Sequence, residues 1–190
     1  MGKWSTAYLW NTPKSKQIAR EIASIPPGFY CGPAVVIWIA AVWNLSKGRN
    51  YDYKNRLRSL PDGPRRFFGK GPGFQRSLNG ILKRETHNEL KLKGTTYYRY
   101  FTIHDILEKH DMPIIIRMLS QSFTDGLHYT ALYKSRYWER RWKVDKIKFY
   151  WMDNGVYGRS TAGNPGLYET GRRNVGYNMF TFGIKQVQKI

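Results

Sequence analysis

The chain has 190 residues, with 32 basic and 13 acidic side chains, a formal net charge of +19, and 41% hydrophobic and 16% aromatic residues. This length predicts a single domain over residues 1–190, and the apolar content excludes a wholly disordered chain. The positive charge predicts attraction to polyanions, including non-specific contact with nucleic acid.

A single cysteine, Cys31, excludes an internal disulfide framework and a cysteine-rich zinc site. We expect neither a metal nor a cofactor. Residues 1–5 lack the apolar core of a signal peptide, and the longest apolar run, 34–43, is about half of what a membrane span needs. We therefore expect no membrane span, so that export would require a secretion machine or a parent polypeptide.

The first half of the chain has the pattern of helices. Residues 1–14 are expected to be irregular, and apolar residues at helical spacing predict a first helix over Lys14–Ile25. A second helix is expected from about Gly32 to Leu45, with Pro33 in its first turn and Gly48 as its C-cap. Because residues 34–43 are apolar throughout, this helix should be buried on all sides.

Residues 49–74 are rich in arginine, lysine, tyrosine, phenylalanine, proline and glycine. This composition predicts a long loop region, which either forms a wall of a cleft or contacts nucleic acid through stacked aromatic and basic side chains. A short helix is expected at 75–84. A further helix is expected over Thr102–His110, with His104 and His110 exposed on different faces.

From Asp111 onward the pattern changes to apolar runs and alternation, which predict strands. The expected strands are Met112–Met118, Leu127–Tyr133, Lys146–Met152 and Asn178–Val187. A charged hairpin over Lys134–Lys143 separates the second strand from the third, and Asp153-Asn154-Gly155 forms a turn after the third. Helices followed by an antiparallel sheet define an α+β fold.

Three residues in these elements carry the chemistry of a thiol hydrolase. Cys31 opens a helix, whose positive end favours the nucleophilic thiolate. His128 lies early in a strand with apolar flanks, whereas His87, His104 and His110 lie in polar or helical settings. A carboxylate must orient the imidazole, and Asp153 follows the next strand. The neighbouring Asn154 is the alternative third member.

The motifs around these residues resemble those of papain-like cysteine peptidases, and more narrowly the bacteriocin-processing, double-glycine peptidases and their small toxin-associated relatives. The matching stretches are Cys31-Gly32-Pro33-Ala34, 126–132 and 150–155, and the resemblance covers about residues 17–156. It implies a papain-like fold in which a central helix starting at the nucleophile packs with other helices on a C-terminal antiparallel sheet. It also implies that Cys31 is the nucleophile, His128 the general base and Asp153 the residue that orients it.

The resemblance further implies an oxyanion hole formed in part by the backbone N–H of Cys31. The family places a glutamine shortly before the cysteine, but Ile25 stands there, and the nearest upstream glutamine is Gln17. Tyr30 occupies a position where the family has an acid. We assign Gln17, Tyr30 and Gly32 to oxyanion or substrate binding.

The expected function is cleavage of a protein substrate after small residues such as Gly-Gly. A basic, free-standing form of this family resembles an effector that a secretion system delivers into the cytoplasm of a competing bacterium, with an acidic immunity protein as its partner. One alternative is an amidase, transglutaminase or deamidase with the same triad. The other is a nucleic-acid-binding or nuclease toxin that uses the basic surface, although no acidic metal-binding cluster is visible in the sequence.

Overall fold

The computed structural model of the chain is an α+β fold whose strands form one antiparallel sheet. It describes residues 2–25, 31–60, 72–95, 106–119, 127–140, 143–152, 167–171 and 184–190. The helical segments are a 3₁₀ turn at Tyr8–Asn11 and the helices α1 (Pro13–Ala23), α2 (Cys31–Ser46), α3 (Tyr53–Ser59), α4 (Pro72–Glu85) and α5 (106–110). The strands are β1 (Gly2–Thr6), β2 (Leu90–Thr95), β3 (Ile114–Leu119), β4 (Leu127–Arg140), β5 (Lys143–Met152), β6 (Leu167–Gly171) and β7 (Ile184–Lys189).

The described strands lie in the order β2-β7-β3-β4-β5-β6, and β1 also pairs with β4. β3 pairs with Leu127–Leu132 of β4, while β1 pairs with residues 134–138 of the same strand. β5 pairs with β4 from Ala131 to Arg140 and so occupies its other edge. β1 and β3 therefore follow one another along a single edge of β4.

A β-bulge interrupts β4 at Tyr133. Leu132 pairs with Trp151 of β5, but the next pair is Lys134 with Tyr150, so that the register of pairing with β5 skips Tyr133. The carbonyl of Tyr133 instead accepts a hydrogen bond from the backbone N–H of Ala7, at 2.8 Å. An extra residue shifts the alternation of side chains between the two faces of a sheet. The bulge therefore changes which residues of β4 face the solvent.

α2 is the central element of the hydrophobic core. Every residue from Ala34 to Trp43 is buried, as the continuous apolar run predicts. The helix packs against α1, α3, α4 and β4. It ends where Gly48 adopts a φ of +71°, and the backbone N–H of Gly48 donates to the carbonyl of Leu45 at 3.1 Å. This left-handed conformation is the reason for a glycine at the C-cap.

Side-chain caps define the starts of two further helices. Thr12 accepts a hydrogen bond from the backbone N–H of Ser15 at 3.1 Å, and Pro13 occupies the first helical position of α1. Asp52 accepts from the backbone N–H of Asn55 at 3.1 Å and so begins α3. α3 lies within the stretch 49–74 that the composition predicts to be a loop, while residues 61–71 are outside the described part of the chain.

The prediction that helices precede the whole sheet is wrong. Residues 2–6 form β1, whereas the sequence predicts irregular structure there, because β1 depends on pairing with a distant part of β4. β2 and β6 are also strands that the sequence analysis missed. The predicted hairpin over Lys134–Lys143 is confirmed, since β4 and β5 pair antiparallel as far as Arg140 and Lys143, but both strands are longer than predicted. The expected helix at 75–84 is confirmed within α4.

A charged cluster holds the C-terminal end of α2. The Glu89 carboxylate accepts hydrogen bonds from the indole N–H of Trp43 and from both terminal nitrogens of the Arg49 guanidinium. Trp43 also stacks on Trp10, with ring centroids 6.4 Å apart and planes 10° from parallel. Hydrogen bonds from Arg49 and Trp43 lower the pKa of Glu89 to about 2. The carboxylate is therefore stabilised in its charged form by the folded structure.

We expect Glu89→Gln to lower the melting temperature by a few degrees near neutral pH and to have little effect near pH 2. A carboxylate whose folded-state pKa is depressed contributes stability above its unfolded-state pKa of about 4.3, and this contribution is lost as pH falls toward the folded value. Thermal melts of both proteins between about pH 2 and pH 7 measure the difference. Arg49→Gln should flatten the pH dependence of the melting temperature in the same range. A difference in melting temperature between wild type and Glu89→Gln that is equal at both ends of this pH range would contradict the lowered pKa of Glu89.

Candidate active site

The backbone of Cys31 forms the start of α2, as the sequence predicts. Gly32 and Pro33 follow in the first turn, and both are buried. Pro33 fits there because the first N–H groups of a helix have no intrahelical acceptor. These groups give the helix start a partial positive charge, which favours a thiolate over a thiol. The Cys31 side chain and the whole of Tyr30 lie outside the described part of the structure.

Contacts along α2 give its direction across the sheet. Near its end, Trp43 lies beside Lys189 of β7, whose ammonium is 5.7 Å from the indole centroid. Farther toward the start, Trp38 lies edge-on to Tyr133 of β4, with ring centroids 5.9 Å apart and an interplanar angle of 65°. From Trp43 to Trp38 the helix therefore passes from β7 to β4. Cys31 lies two turns beyond Trp38, about 10 Å farther along the axis.

The next strands in that direction are β5 and β6. α1, which directly precedes the segment leading into α2, contacts β6. The indole N–H of Trp38 also donates to the backbone carbonyl of Ser15 in α1, at 3.0 Å. The start of α2 is therefore directed toward the half of the sheet that contains β4, β5 and β6, and α1 contacts β6 in the same half.

His128 is the second residue of β4 and pairs with Met118 of β3. Its placement early in a strand is confirmed at the level of the backbone, while its side chain lies outside the described structure. β5 ends at Met152, which pairs with Ala131 of β4. Since β4 and β5 are antiparallel, the start of β4 and the end of β5 lie at the same end of the sheet. Asp153 and Asn154 follow Met152 and lie outside the described residues.

Gln17 lies on α1, where its amide nitrogen donates to the Glu21 carboxylate at 2.9 Å. Glu21 also accepts from the hydroxyl of Tyr53 at 2.8 Å and pairs with the ammonium of Lys54 at 2.7 Å. The hydrogen bond from Lys54, followed by that from Tyr53, holds the pKa of Glu21 below its ordinary value. Burial and then Glu21 raise the pKa of Tyr53 to about 12. Glu21, which the sequence analysis did not single out, thus ties Gln17 and α1 to α3.

The histidines set aside by the sequence analysis have solvent-exposed settings where the structure describes them. His87 is exposed in the turn after α4, with a φ of 52°, and His110 is exposed in α5. His104 lies outside the described residues. Over the described ranges, no group of three or more histidine, cysteine, aspartate or glutamate residues is arranged to hold a metal ion. In the same part of the chain, no helix has both the length and the apolar character needed to cross a bilayer.

Comparison of the chain with protein-family models, with curated proteins and with solved structures found no match.

Proposed function

We propose that the chain is a papain-like cysteine peptidase in which Cys31 is the nucleophile, His128 the general base and Asp153 the residue that orients His128. The observation that carries this proposal is the packing of α2, which begins at Cys31, against β4, whose second residue is His128. The sequence alone predicts these two elements, and the described contacts supply the packing between them. The start of α2 is directed toward β5, the strand that directly precedes Asp153, and this adds support.

In the proposed reaction, His128 takes the thiol proton and the Cys31 sulfur attacks the carbonyl carbon of the scissile peptide bond. The backbone N–H of Cys31 donates to the resulting oxyanion. The intermediate collapses to a thioester as His128 gives its proton to the departing amine. Water, deprotonated by His128, then attacks the thioester, releases the new carboxyl terminus and regenerates the thiol. The net reaction consumes one water for each peptide bond cleaved.

A role for Gln17 in the oxyanion hole requires its amide to reach the substrate from α1. Its hydrogen bond to Glu21 orients the amide along the surface of α1. The same bond links the amide to Lys54 and Tyr53 of α3. We therefore propose the backbone N–H of Cys31 as the oxyanion donor, since Glu21 already engages the Gln17 amide.

We further propose that this peptidase acts as a toxin inside bacteria and cleaves after small residues. A narrow cleft admits an extended backbone most easily when its side chains are small, as in a pair of glycines. A net charge of +19 would favour binding of an acidic immunity protein over the cleft.

Expression of the wild type in the bacterial cytoplasm should arrest growth and create new protein N-termini, and Cys31→Ala should do neither. Loss of the only thiol removes the nucleophile and leaves the apolar residues of α2 in place. Growth curves and a proteome-wide search for new N-termini measure the two effects, and circular dichroism of both purified proteins controls for folding. New N-termini with the Cys31→Ala protein would refute the proposal. Growth arrest without new protein N-termini would favour the amidase, transglutaminase or deamidase class.

A further inference from the structure

Four side chains form a cationic and aromatic cluster on β1, β4 and β5, which we call the Trp4 cluster. Its members are Trp4, Lys134, Arg136 and Tyr150. The Lys134 ammonium lies 4.0 Å from the centroid of the Trp4 ring, and the Arg136 guanidinium carbon lies 4.6 Å from the same centroid. The rings of Trp4 and Tyr150 are 5.8 Å apart. Trp4 is 41% exposed, so the cluster is at the protein surface.

The strand register assembles this cluster. Trp4 pairs with Arg136, and Lys134 pairs with Tyr150. Ser5 and Ser135, which alternate with these residues and pair with one another, are buried. Because side chains alternate between the faces of a sheet, Trp4, Lys134 and Arg136 lie on the face opposite the two buried serines.

The cluster combines the two properties that single-stranded nucleic acid requires of a binding surface. Two cations held at one indole concentrate positive charge that phosphates neutralise. The exposed part of the Trp4 side chain, between these cations, offers an aromatic surface for a base of any sequence. The register also places Lys148 of β5 opposite Arg136, and Lys146 opposite Trp138, so basic residues continue along the adjacent strand.

We propose that the Trp4 cluster binds single-stranded nucleic acid, with Lys134 and Arg136 against phosphates and Trp4 stacked on a base. The nearness of these cations to an exposed ring distinguishes this site from attraction by the overall charge of +19. None of its residues belongs to the stretch 49–74, to which composition alone directs attention. The proposal is independent of the peptidase function, since none of its residues belongs to the proposed triad.

The test uses the full chain carrying Cys31→Ala, so that the outcome does not depend on the proposed peptidase activity. Binding of a fluorescent oligothymidylate of about twenty nucleotides is measured by anisotropy over a range of salt concentrations. Adding Lys134→Gln and Arg136→Gln should weaken binding about tenfold and reduce the slope of log affinity against log salt by about 1.4, at about 0.7 per phosphate contact. Trp4→Leu should weaken binding at least about fivefold and leave the slope unchanged.

The matched control is Lys91→Gln with Lys93→Gln on β2, which removes the same charge from another strand of the sheet. It should leave the salt slope unchanged, and thermal melts should show that all variants remain folded. Equal losses from both double variants would overturn the proposal in favour of non-specific attraction. Unchanged binding in Trp4→Leu would overturn the stacking role. Binding of the same variants to vesicles containing phosphatidylserine is measured in parallel. Weaker binding to these vesicles with unchanged binding to the oligonucleotide would overturn the proposal.

Discussion

Replacing either Cys31 or His128 with alanine should lower the rate of peptide-bond cleavage by about 10⁴-fold or more. The two side chains act as one unit in the proposed mechanism, because the sulfur is an effective nucleophile only when the imidazole holds its proton. Removing one of them therefore removes most of the contribution of the other. The measurement is single-turnover cleavage of a protein substrate identified from its new N-terminus, with purified enzyme.

The double variant Cys31→Ala, His128→Ala should be no slower than either single variant, since the losses of a cooperating pair are not additive.

The third member of the proposed triad is identified by comparing Asp153→Ala with Asn154→Ala. We expect the first to reduce the rate about 10²-fold or more and the second to have a much smaller effect. Full cleavage by His128→Ala would exclude the proposed base, and a larger loss from Asn154→Ala would transfer the orienting role to that residue.

Trp38→Ala should destabilise the protein by about 3–5 kcal/mol and lower its melting temperature by about 10 °C. The side chain is fully buried in the middle of α2 and contacts the Tyr133 ring of β4. Its indole N–H donates to the carbonyl of Ser15 in α1. The substitution thus creates a large cavity and also leaves a buried carbonyl without this donor. Urea denaturation followed by circular dichroism measures the free energy of unfolding.

Two comparisons separate these contributions. Trp38→Phe keeps an aromatic ring but removes the N–H, so we expect it to cost less than the alanine substitution. Tyr8→Ala removes an aromatic side chain that is 73% exposed and should change stability by about 0.5 kcal/mol or less. A loss below about 1 kcal/mol for Trp38→Ala would contradict the packing of α2 between α1 and β4.

The helices were the most predictable part of the fold. α2 has an unbroken apolar run, a proline near its start and a glycine after its end, and all three signals agree. α1 has apolar residues at helical spacing, and its buried residues Ile18, Ala19 and Ile22 lie on the expected face. Such signals are local, since a helix forms its hydrogen bonds within one segment. The start of the proposed site at Cys31 could be predicted for the same reason.

The strands were predicted less well because a strand's hydrogen bonds go to other segments. β2 has alternating leucine and lysine from Leu90 to Lys93, a signal that was present and that the sequence analysis did not use. β1 has only a few polar and aromatic residues, and its stability comes from its pairing with β4. The bulge at Tyr133 has no sequence signature, yet it decides the faces on which Lys134 and Arg136 lie. The Trp4 cluster therefore could not be predicted, and its two cations were assigned to a hairpin.

The pairing of β1 with β4 also sets an order of events during synthesis. Trp4 is synthesised before its partner Arg136, which follows only after the described helices and β3. Until residues 134–138 of β4 have been made, β1 cannot form this pairing. The pairing of β1 with β4 joins two segments that are far apart in the sequence, so we expect it to form after the local structure of the helices.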